Sequence, residues 1–113
     1  MKLQKEGQII NISSVVSKNA FPFLGAYAST KYALNALSLT AREELKDNNI
    51  SVSLVHPGLT DTNFGANLIA DDETKAMMKT VFEKMPPADS SDLVAKRILD
   101  AIQSREAEVF VKE

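Results

Sequence analysis

The chain is organised around the run Tyr27-Ala28-Ser29-Thr30-Lys31. In an α-helix, residues four apart lie on one face about one turn from each other, so this run places a phenol beside an ammonium group. A free phenol has a pKa of about 10, and a neighbouring positive charge favours its deprotonated form. A tyrosine in this setting can donate a proton to a carbonyl or take one from an alcohol. The spacing therefore indicates a candidate acid/base pair, although the spacing alone is common by chance.

Apolar periodicity predicts a helix around this pair and a strand on either side of it. A helix is expected over residues 26–46, ending in a turn-forming cluster at residues 47–49. Its supporting apolar face is expected to consist of Leu34, Leu37, Ala41 and Leu45. Residues 8–13 and 51–56 are rich in β-branched and other apolar side chains, which predicts two buried parallel strands. Strand, long helix and strand make one crossover unit, entered through a loop at residues 15–25.

The second half of the chain predicts two further helices and a last strand. Before the Pro86-Pro87 break, apolar residues recur at helical spacing: Met77, Met78, Val81, Phe82 and Met85. They indicate either a mobile lid over a ligand or a simple amphipathic helix. Asp89 or Ser90 can cap the next helix, and residues 108–111 predict a short strand. The apolar stripe of that helix is expected to contain Val94, Ile98 and Ile102, with Leu99 beside it.

Composition excludes several classes of function. The chain has 113 residues, is 44% hydrophobic and carries a net charge of −2, which fits one globular domain and argues against a nucleic-acid partner. It has no cysteine and one histidine, so no metal site is expected. No apolar run approaches the roughly 20 residues that span a bilayer, and the first residues lack a signal peptide. A soluble cytoplasmic protein without membrane contact is the expectation.

Three stretches resemble the second half of a short-chain dehydrogenase/reductase. They are residues 7–14, residues 25–34 with the Tyr-x-x-x-Lys motif, and residues 50–58, followed by Thr62 in a Pro-Gly-x-x-x-Thr pattern. Order and spacing agree with the family over residues 7–62. The resemblance implies an α/β fold, an NAD(P)-binding Rossmann-like doubly wound parallel sheet. Only its C-terminal half of about three strands with flanking helices would be present, making residues 1–113 a partial, catalytic-half domain.

The resemblance also implies an oxidoreductase that interconverts a carbonyl and a secondary alcohol with NAD or NADP. Tyr27 would be the acid/base, and Lys31 would promote its proton loss and bind the nicotinamide ribose. Ser14, thirteen residues before Tyr27, would bind the reacting oxygen in preference to Ser13. The cofactor-binding positions would be Tyr27, Lys31, Pro57, Gly58, Thr60 and Thr62. Neither the substrate nor the choice between NAD and NADP follows from these residues.

The chain departs from the family pattern in its glycines. It has only four, scattered singly, and no Gly-x-x-x-Gly-x-Gly turn. The family's catalytic asparagine would lie before residue 1, since Asn11 falls within a strand. The expectation is that these residues alone bind cofactor at least about a hundredfold more weakly than a full-length relative. The alternative is a truncated, inactive chain that acts only through folding or association, with a homo-oligomer through the helix at residues 26–46 as a possible partner arrangement. Residues 1–6 resemble the tail of the preceding family helix.

His56 raises a rival interpretation, a Ser/His hydrolase. The sequence contains no Gly-x-Ser-x-Gly elbow, and Ser14 does not lead directly into the long helix. His56 is therefore expected to be a strand-end residue with a structural hydrogen bond.

Overall fold

The chain folds into a three-stranded parallel sheet with helices packed on it. The computed structural model describes residues 1–112. Its strands pair in the order β1-β2-β3, and they are β1 (Gly7–Ile12), β2 (Ile50–His56) and β3 (Glu108–Phe110). Its helices are α1 (Gly25–Leu45), α2 (Asp72–Glu83) and α3 (Ser91–Ser104), and short 3-10 turns span Val15–Ser17 and Lys46–Asn48.

Strand β2 is the centre of the sheet. It pairs with β1 from Gly7↔Ile50 to Ile12↔Val55, and with β3 through its last three residues. All three strands are parallel, so their carboxyl ends meet at one edge. This arrangement brings the segment after β1 beside the segment after β2. The backbone bond from Val15 N to Pro57 O, 3.0 Å, fixes the two segments together.

Helices cover both faces of the sheet, which confirms the doubly wound class. Side chains alternate between the faces of a strand. On one face, Asn11 Nδ2 of β1 donates to Ser38 Oγ of α1 at 2.8 Å. On the other face, Ile10 packs against a buried cluster that α3 contributes to. The residues of that cluster and its packing partners are Val55, Ala101, Val109, Val111, Leu93, Val94 and Ile98.

Three of the four residues predicted for the supporting face of α1, Leu34, Ala41 and Leu45, are half-buried, and only Leu37 is misplaced. Leu37 is 70% exposed, whereas Asn35 and Ser38 are buried. The helix turns a polar ridge toward the sheet, and the apolar residue at position 37 points outward. Polar partners on β1 and in the Val15–Ser17 turn hold that ridge, so hydrogen bonds add to the apolar contacts of the helix.

Helix α3 agrees with the sequence at its start and departs from it near its end. Ser90, one of the two predicted caps, caps the helix, because its Oγ accepts from Leu93 N at 3.2 Å, while Asp89 is buried in the loop before it. Val94 and Ile98 of the predicted stripe pack on the core, but Ala101 is buried in place of Ile102, and Leu99 is exposed. Residues 2–5 form turns and no helix tail.

Strand β1 is only half-buried, contrary to the expectation of a buried strand. Within residues 1–112 it pairs on one side only, with β2. An edge strand of this kind keeps one row of backbone groups free.

Replacing Leu54 should show where the core lies. Leu54 is fully buried in the central strand, so Leu54→Ala is expected to lower the free energy of unfolding by about 2–5 kcal/mol through lost packing and a residual cavity. Leu37→Ala removes the same atoms from an exposed site and should change it by less than about 0.5 kcal/mol. Urea denaturation measures both, and equal losses would contradict the assigned packing of α1.

Candidate active site

A cavity of about 530 Å³ opens at the carboxyl ends of β1 and β2. Every residue that the sequence singles out for catalysis or cofactor binding lines it: Ser14, Tyr27, Lys31, Pro57, Gly58, Thr60 and Thr62. These residues come from the turn after β1, the first two turns of α1 and the loop after β2. The parallel pairing of β1 with β2 is what brings them together.

Tyr27 and Lys31 lie on one face of α1, as the four-residue spacing predicts. Lys31 Nζ is 5.7 Å from the centroid of the Tyr27 ring. The same ammonium donates to the Ile12 carbonyl at 3.0 Å, so it also reaches the last residue of β1. Tyr27 is 38% exposed and its ring lies 6.4 Å from that of Phe64, centroid to centroid. The phenol is therefore accessible from the cavity.

Ser14 is the better placed of the two serines after β1. Its Oγ accepts from Val16 N at 3.3 Å, which leaves the hydroxyl proton free to donate into the cavity. The Ser13 hydroxyl instead donates to Asn35 Oδ1 at 2.5 Å. The hydrogen bonds therefore support the spacing argument for Ser14.

The loop after β2 presents backbone groups to the cavity. Thr60 forms a parallel bridge with Asp89, whose hydrogen bonds run through Leu59 O and Asp61 N. In such a bridge the central residue points its own N–H and C=O away from its partner. Thr60 also lines the cavity, so its peptide groups are available to a ligand there. The Thr62 hydroxyl accepts from Phe64 N at 3.3 Å and closes a tight turn.

The outer wall of the cavity is apolar. It is built by Phe64, Leu68, Met78, Phe82 and Met85. Met77 and Val81, on the other side of α2, line a separate cavity of about 260 Å³ against residues 21–23. Helix α2 thus contributes one face to the site, as both the lid and the amphipathic-helix interpretations require. Whether the helix closes over a ligand stays a prediction.

His56 contacts the backbone of Ser14 and not its hydroxyl. The ring is fully buried, and its Nδ1 lies 3.4 Å from the Ser14 carbonyl oxygen and 3.4 Å from Ser17 Oγ. Its Nε2 lies 3.0 Å from Glu108 Oε1, and the Phe110 ring stacks on it with 4.6 Å between centroids. This geometry agrees with a structural role for His56 and gives no support to a hydrolase.

Sequence reasoning missed the polar partners behind the site. Asn35 and Ser17 are buried, and Glu108 binds both His56 and Lys18. One signal was available: Asn35 follows Tyr27 and Lys31 at the same four-residue interval, which puts three polar residues on one ridge of α1. No comparable pattern points to Ser17 or Glu108, because their contacts depend on the sheet.

Residues 1–112 offer neither a membrane-spanning helix nor a metal cluster. In that part of the chain no helix is both long and apolar enough to cross a membrane. Residues 1–112 also contain no group of three or more His, Cys, Asp or Glu side chains that could hold a metal ion.

The comparisons with known proteins agree with this geometry. The family model described as short chain dehydrogenase matches residues 1–74, well over half of the chain. The chain belongs to the short-chain dehydrogenase family. That assignment confirms the resemblance seen in the motifs.

The chain is similar to dehydrogenase/reductase SDR family member 7B of Rattus norvegicus, with 31% identity over 97% of this chain and 33% of the relative. It is 34% identical to the SDR family protein 7-like of Drosophila melanogaster over 95% of this chain and 32% of the relative. The chain therefore spans about a third of the length of these curated relatives.

Solved structures show the same fold. A short-chain dehydrogenase from Sphingobium yanoikuyae in complex with NADPH matches with a TM-score of 0.77 and 25% identity, covering 98% of this chain and 40% of that one. A short-chain dehydrogenase/reductase from Burkholderia phymatum in complex with NAD matches with a TM-score of 0.78 and 19% identity, covering 99% and 45%. The three strands and their helices thus correspond to less than half of each of these two proteins.

Glu108 makes the stability of the folded chain depend on pH. The hydrogen bond from Lys18 lowers the pKa of the Glu108 carboxyl below 4.5, helped by the charge of Lys18 and by His56 and opposed by burial. The unfolded chain then binds more protons than the folded one on acidification. The stability from Glu108 is present at neutral pH and is lost as the pH falls through the lowered pKa.

Glu108→Gln is expected to lower the free energy of unfolding at pH 7 by up to about 1 kcal/mol, since the ion pair is partly exposed. It should also make the free energy of unfolding fall less steeply as the pH drops below 4.5. Chemical denaturation between pH 3 and pH 7 measures both effects. Glu106→Gln is the control, because Glu106 is exposed and forms no ion pair within residues 1–112. An unchanged acid slope in Glu108→Gln would contradict the assignment.

Proposed function

We propose that this chain is the catalytic half of an NAD- or NADP-dependent oxidoreductase that interconverts a carbonyl and a secondary alcohol. The observation that carries the proposal is that Ser14, Tyr27 and Lys31 line a single cavity beside the Pro57-Gly58 loop. Membership of the short-chain dehydrogenase family and its curated dehydrogenase/reductase relatives support it. The solved structures with NADPH and with NAD support the cofactor class without separating the two.

The residues present fit the nicotinamide end of such a cofactor. The free peptide groups of Thr60 match the donor and acceptor of a carboxamide. At Gly58 the backbone borders the cavity with no side chain, and the nearest group that a Cβ would meet is Asp89 Oδ2 at 3.7 Å. Lys31 supplies an ammonium for the ribose hydroxyls. When bound, the cofactor supplies or accepts the hydride.

The chain's own groups would handle the proton and the substrate oxygen. The Ser14 hydroxyl donates a hydrogen bond to that oxygen and so stabilises the charge that develops on it. The Tyr27 hydroxyl gives the oxygen a proton during reduction and takes one from the alcohol during oxidation. The Lys31 ammonium, one helical turn away, stabilises negative charge on the phenol oxygen. The apolar wall around Phe82 keeps water from the reacting atoms.

Tyr27→Phe should remove turnover while leaving the fold intact. The substitution deletes only the phenol oxygen, so the rate should fall by about a hundredfold to ten-thousandfold, the usual contribution of a general acid. Turnover with NADH and NADPH is followed by loss of nicotinamide absorbance over a panel of ketones. Tyr32→Phe makes the same chemical change on an exposed part of α1 and should keep full activity. Equal activity of the Tyr27 variant and its parent would overturn the acid/base assignment.

A second candidate is an inactive chain that acts through association alone. The exposed apolar residues Tyr32 and Leu37 on α1 favour it, because such side chains are the kind that an interface covers. A homo-oligomer through α1 would cover one or both of them. In this case Tyr27→Phe changes neither turnover nor the oligomeric state, which sedimentation measures, whereas Leu37→Glu dissociates the oligomer.

The affinity for the cofactor tests how much of the binding site these 113 residues supply. They carry no glycine-rich turn for a pyrophosphate, so calorimetry should give an affinity for NAD or NADP at least about a hundredfold below that of a full-length relative. An affinity near that of the relative would contradict this prediction.

A further inference from the structure

A continuous cluster of polar side chains lies directly behind Ser14. It consists of Ser13, Ser17, Asn35, His56 and Glu108, and is called the polar cluster below. All but Glu108 are buried, and each contacts the next: Ser13 Oγ to Asn35 Oδ1 at 2.5 Å, Asn35 Nδ2 to Ser17 Oγ at 2.8 Å, Ser17 Oγ to His56 Nδ1 at 3.4 Å and His56 Nε2 to Glu108 Oε1 at 3.0 Å.

Asn35 joins the two elements that carry the candidate catalytic groups. It lies on α1, eight residues after Tyr27 and on the same ridge. Its amide binds Ser13 and Ser17, which flank Ser14 in the chain. This buried amide therefore ties the turn that carries Ser14 to the helix that carries Tyr27.

Ser17 holds the Ser14 backbone, and the His56 ring packs against both residues. The Ser14 carbonyl accepts from Ser17 N at 3.1 Å and from Ser17 Oγ at 2.6 Å, and His56 Nδ1 lies 3.4 Å from each of the two oxygens. An ionised carboxylate only accepts hydrogen bonds, so Glu108 places a proton on His56 Nε2 and fixes the ring orientation. Nδ1 of the neutral ring is then an acceptor, which faces the Ser17 hydroxyl and restrains this turn by contact. Stacking of Phe110 on the ring restrains it further.

Fold stability alone does not explain why these buried positions hold polar side chains. Burying polar groups costs free energy that hydrogen bonds only offset, and apolar side chains of similar volume often stabilise as well or better. What hydrogen bonds supply is direction, and Ser14 needs a defined direction to meet a substrate oxygen at the Tyr27 hydroxyl. A misplacement of about 1 Å can cost a hundredfold in rate.

We propose that Asn35 and His56 are positioning residues that orient Ser14 against Tyr27 for the reaction. This inference rests on the proposed oxidoreductase function. Neither side chain lines the cavity, so neither touches the substrate or the cofactor. Both act through the turn at Val15–Ser17.

A double-mutant cycle tests the proposal. Asn35→Leu and His56→Phe are each made in the parent protein and in Ser14→Ala. In the parent, kcat should fall by about tenfold to a hundredfold with KM for the cofactor within about twofold. In Ser14→Ala the same substitutions should change kcat by less than about threefold, because the group that they orient is gone. Equal losses of kcat in both backgrounds would overturn the proposal and leave a structural role.

Two further variants separate positioning from folding. Asn11→Leu breaks the partly buried hydrogen bond between Asn11 and Ser38, which also joins β1 to α1 but does not touch the turn of Ser14. It should lower the melting temperature and leave kcat unchanged. His56→Gln keeps a donor and an acceptor and should recover part of the kcat lost in His56→Phe. An equal loss of kcat in Asn11→Leu would overturn the proposal.

Hydrogen exchange at a backbone amide provides a readout that does not require turnover. An inactive parent protein would overturn the proposed function, and the positioning role is then judged at the Ser17 amide, which donates to the Ser14 carbonyl. Its protection should fall at least tenfold in Asn35→Leu and stay unchanged in Asn11→Leu. Unchanged Ser17 protection in Asn35→Leu would overturn the positioning role by itself.

Discussion

The structure depends on the parallel pairing of β1 with β2. Six residue pairs in register bring the ends of the two strands to one edge. The ladder continues past the strands, since Ser13 N donates to Val55 O at 2.8 Å and Val15 N to Pro57 O at 3.0 Å. A parallel pair requires a long crossover connection, and α1 is that connection. Strand pairing and helix together therefore place the two loops and the Tyr27 helix around a single cavity.

The face that α1 turns to the sheet combines packing with chemistry. A helix that served only the core would bury its apolar residues most deeply. In this one Leu34, Ala41 and Leu45 are only half-buried, and the fully buried residues are Asn35 and Ser38. Hydrogen bonds to β1 and to the turn after it replace part of the apolar contact. The arrangement gives a defined orientation to Ser14, at a cost in stability that the α3 side of the sheet helps to offset through its apolar cluster.

Loops after strands carry the site because they can present backbone groups to a ligand, whereas a strand interior uses its backbone in the sheet. Here the Thr60–Asp89 bridge ties the loop after β2 to the segment before α3. Lys112 Nζ reaches both the Asp89 carboxylate, at 2.6 Å, and the Pro87 carbonyl, at 3.1 Å. The loop that would meet the nicotinamide is thus held by a segment thirty residues later in the chain.

Local patterns in the sequence predicted most of the elements, and the family resemblance named seven residues that the structure brings to one cavity. The four-residue spacing of Tyr27 and Lys31 and the β-branched runs depend on neighbours along the chain, so one helix between two parallel strands could be derived directly. The motif spacing also selected Ser14, and the hydrogen bond of Ser13 to Asn35 agrees with that choice.

Only the tertiary structure decided which face of each helix is buried and what lies behind the site. Leu37 and Asn35 are two residues apart on α1, and Asn35 is the buried one. Apolar periodicity favoured Leu37, because such a pattern does not show which polar partners another element supplies. His56 and Glu108 are separated by fifty-two residues, and their contact exists because β2 and β3 pair in parallel at His56↔Phe110. Contacts between residues so far apart in the chain depend on which strands pair and in which register. Local patterns along a sequence do not show this.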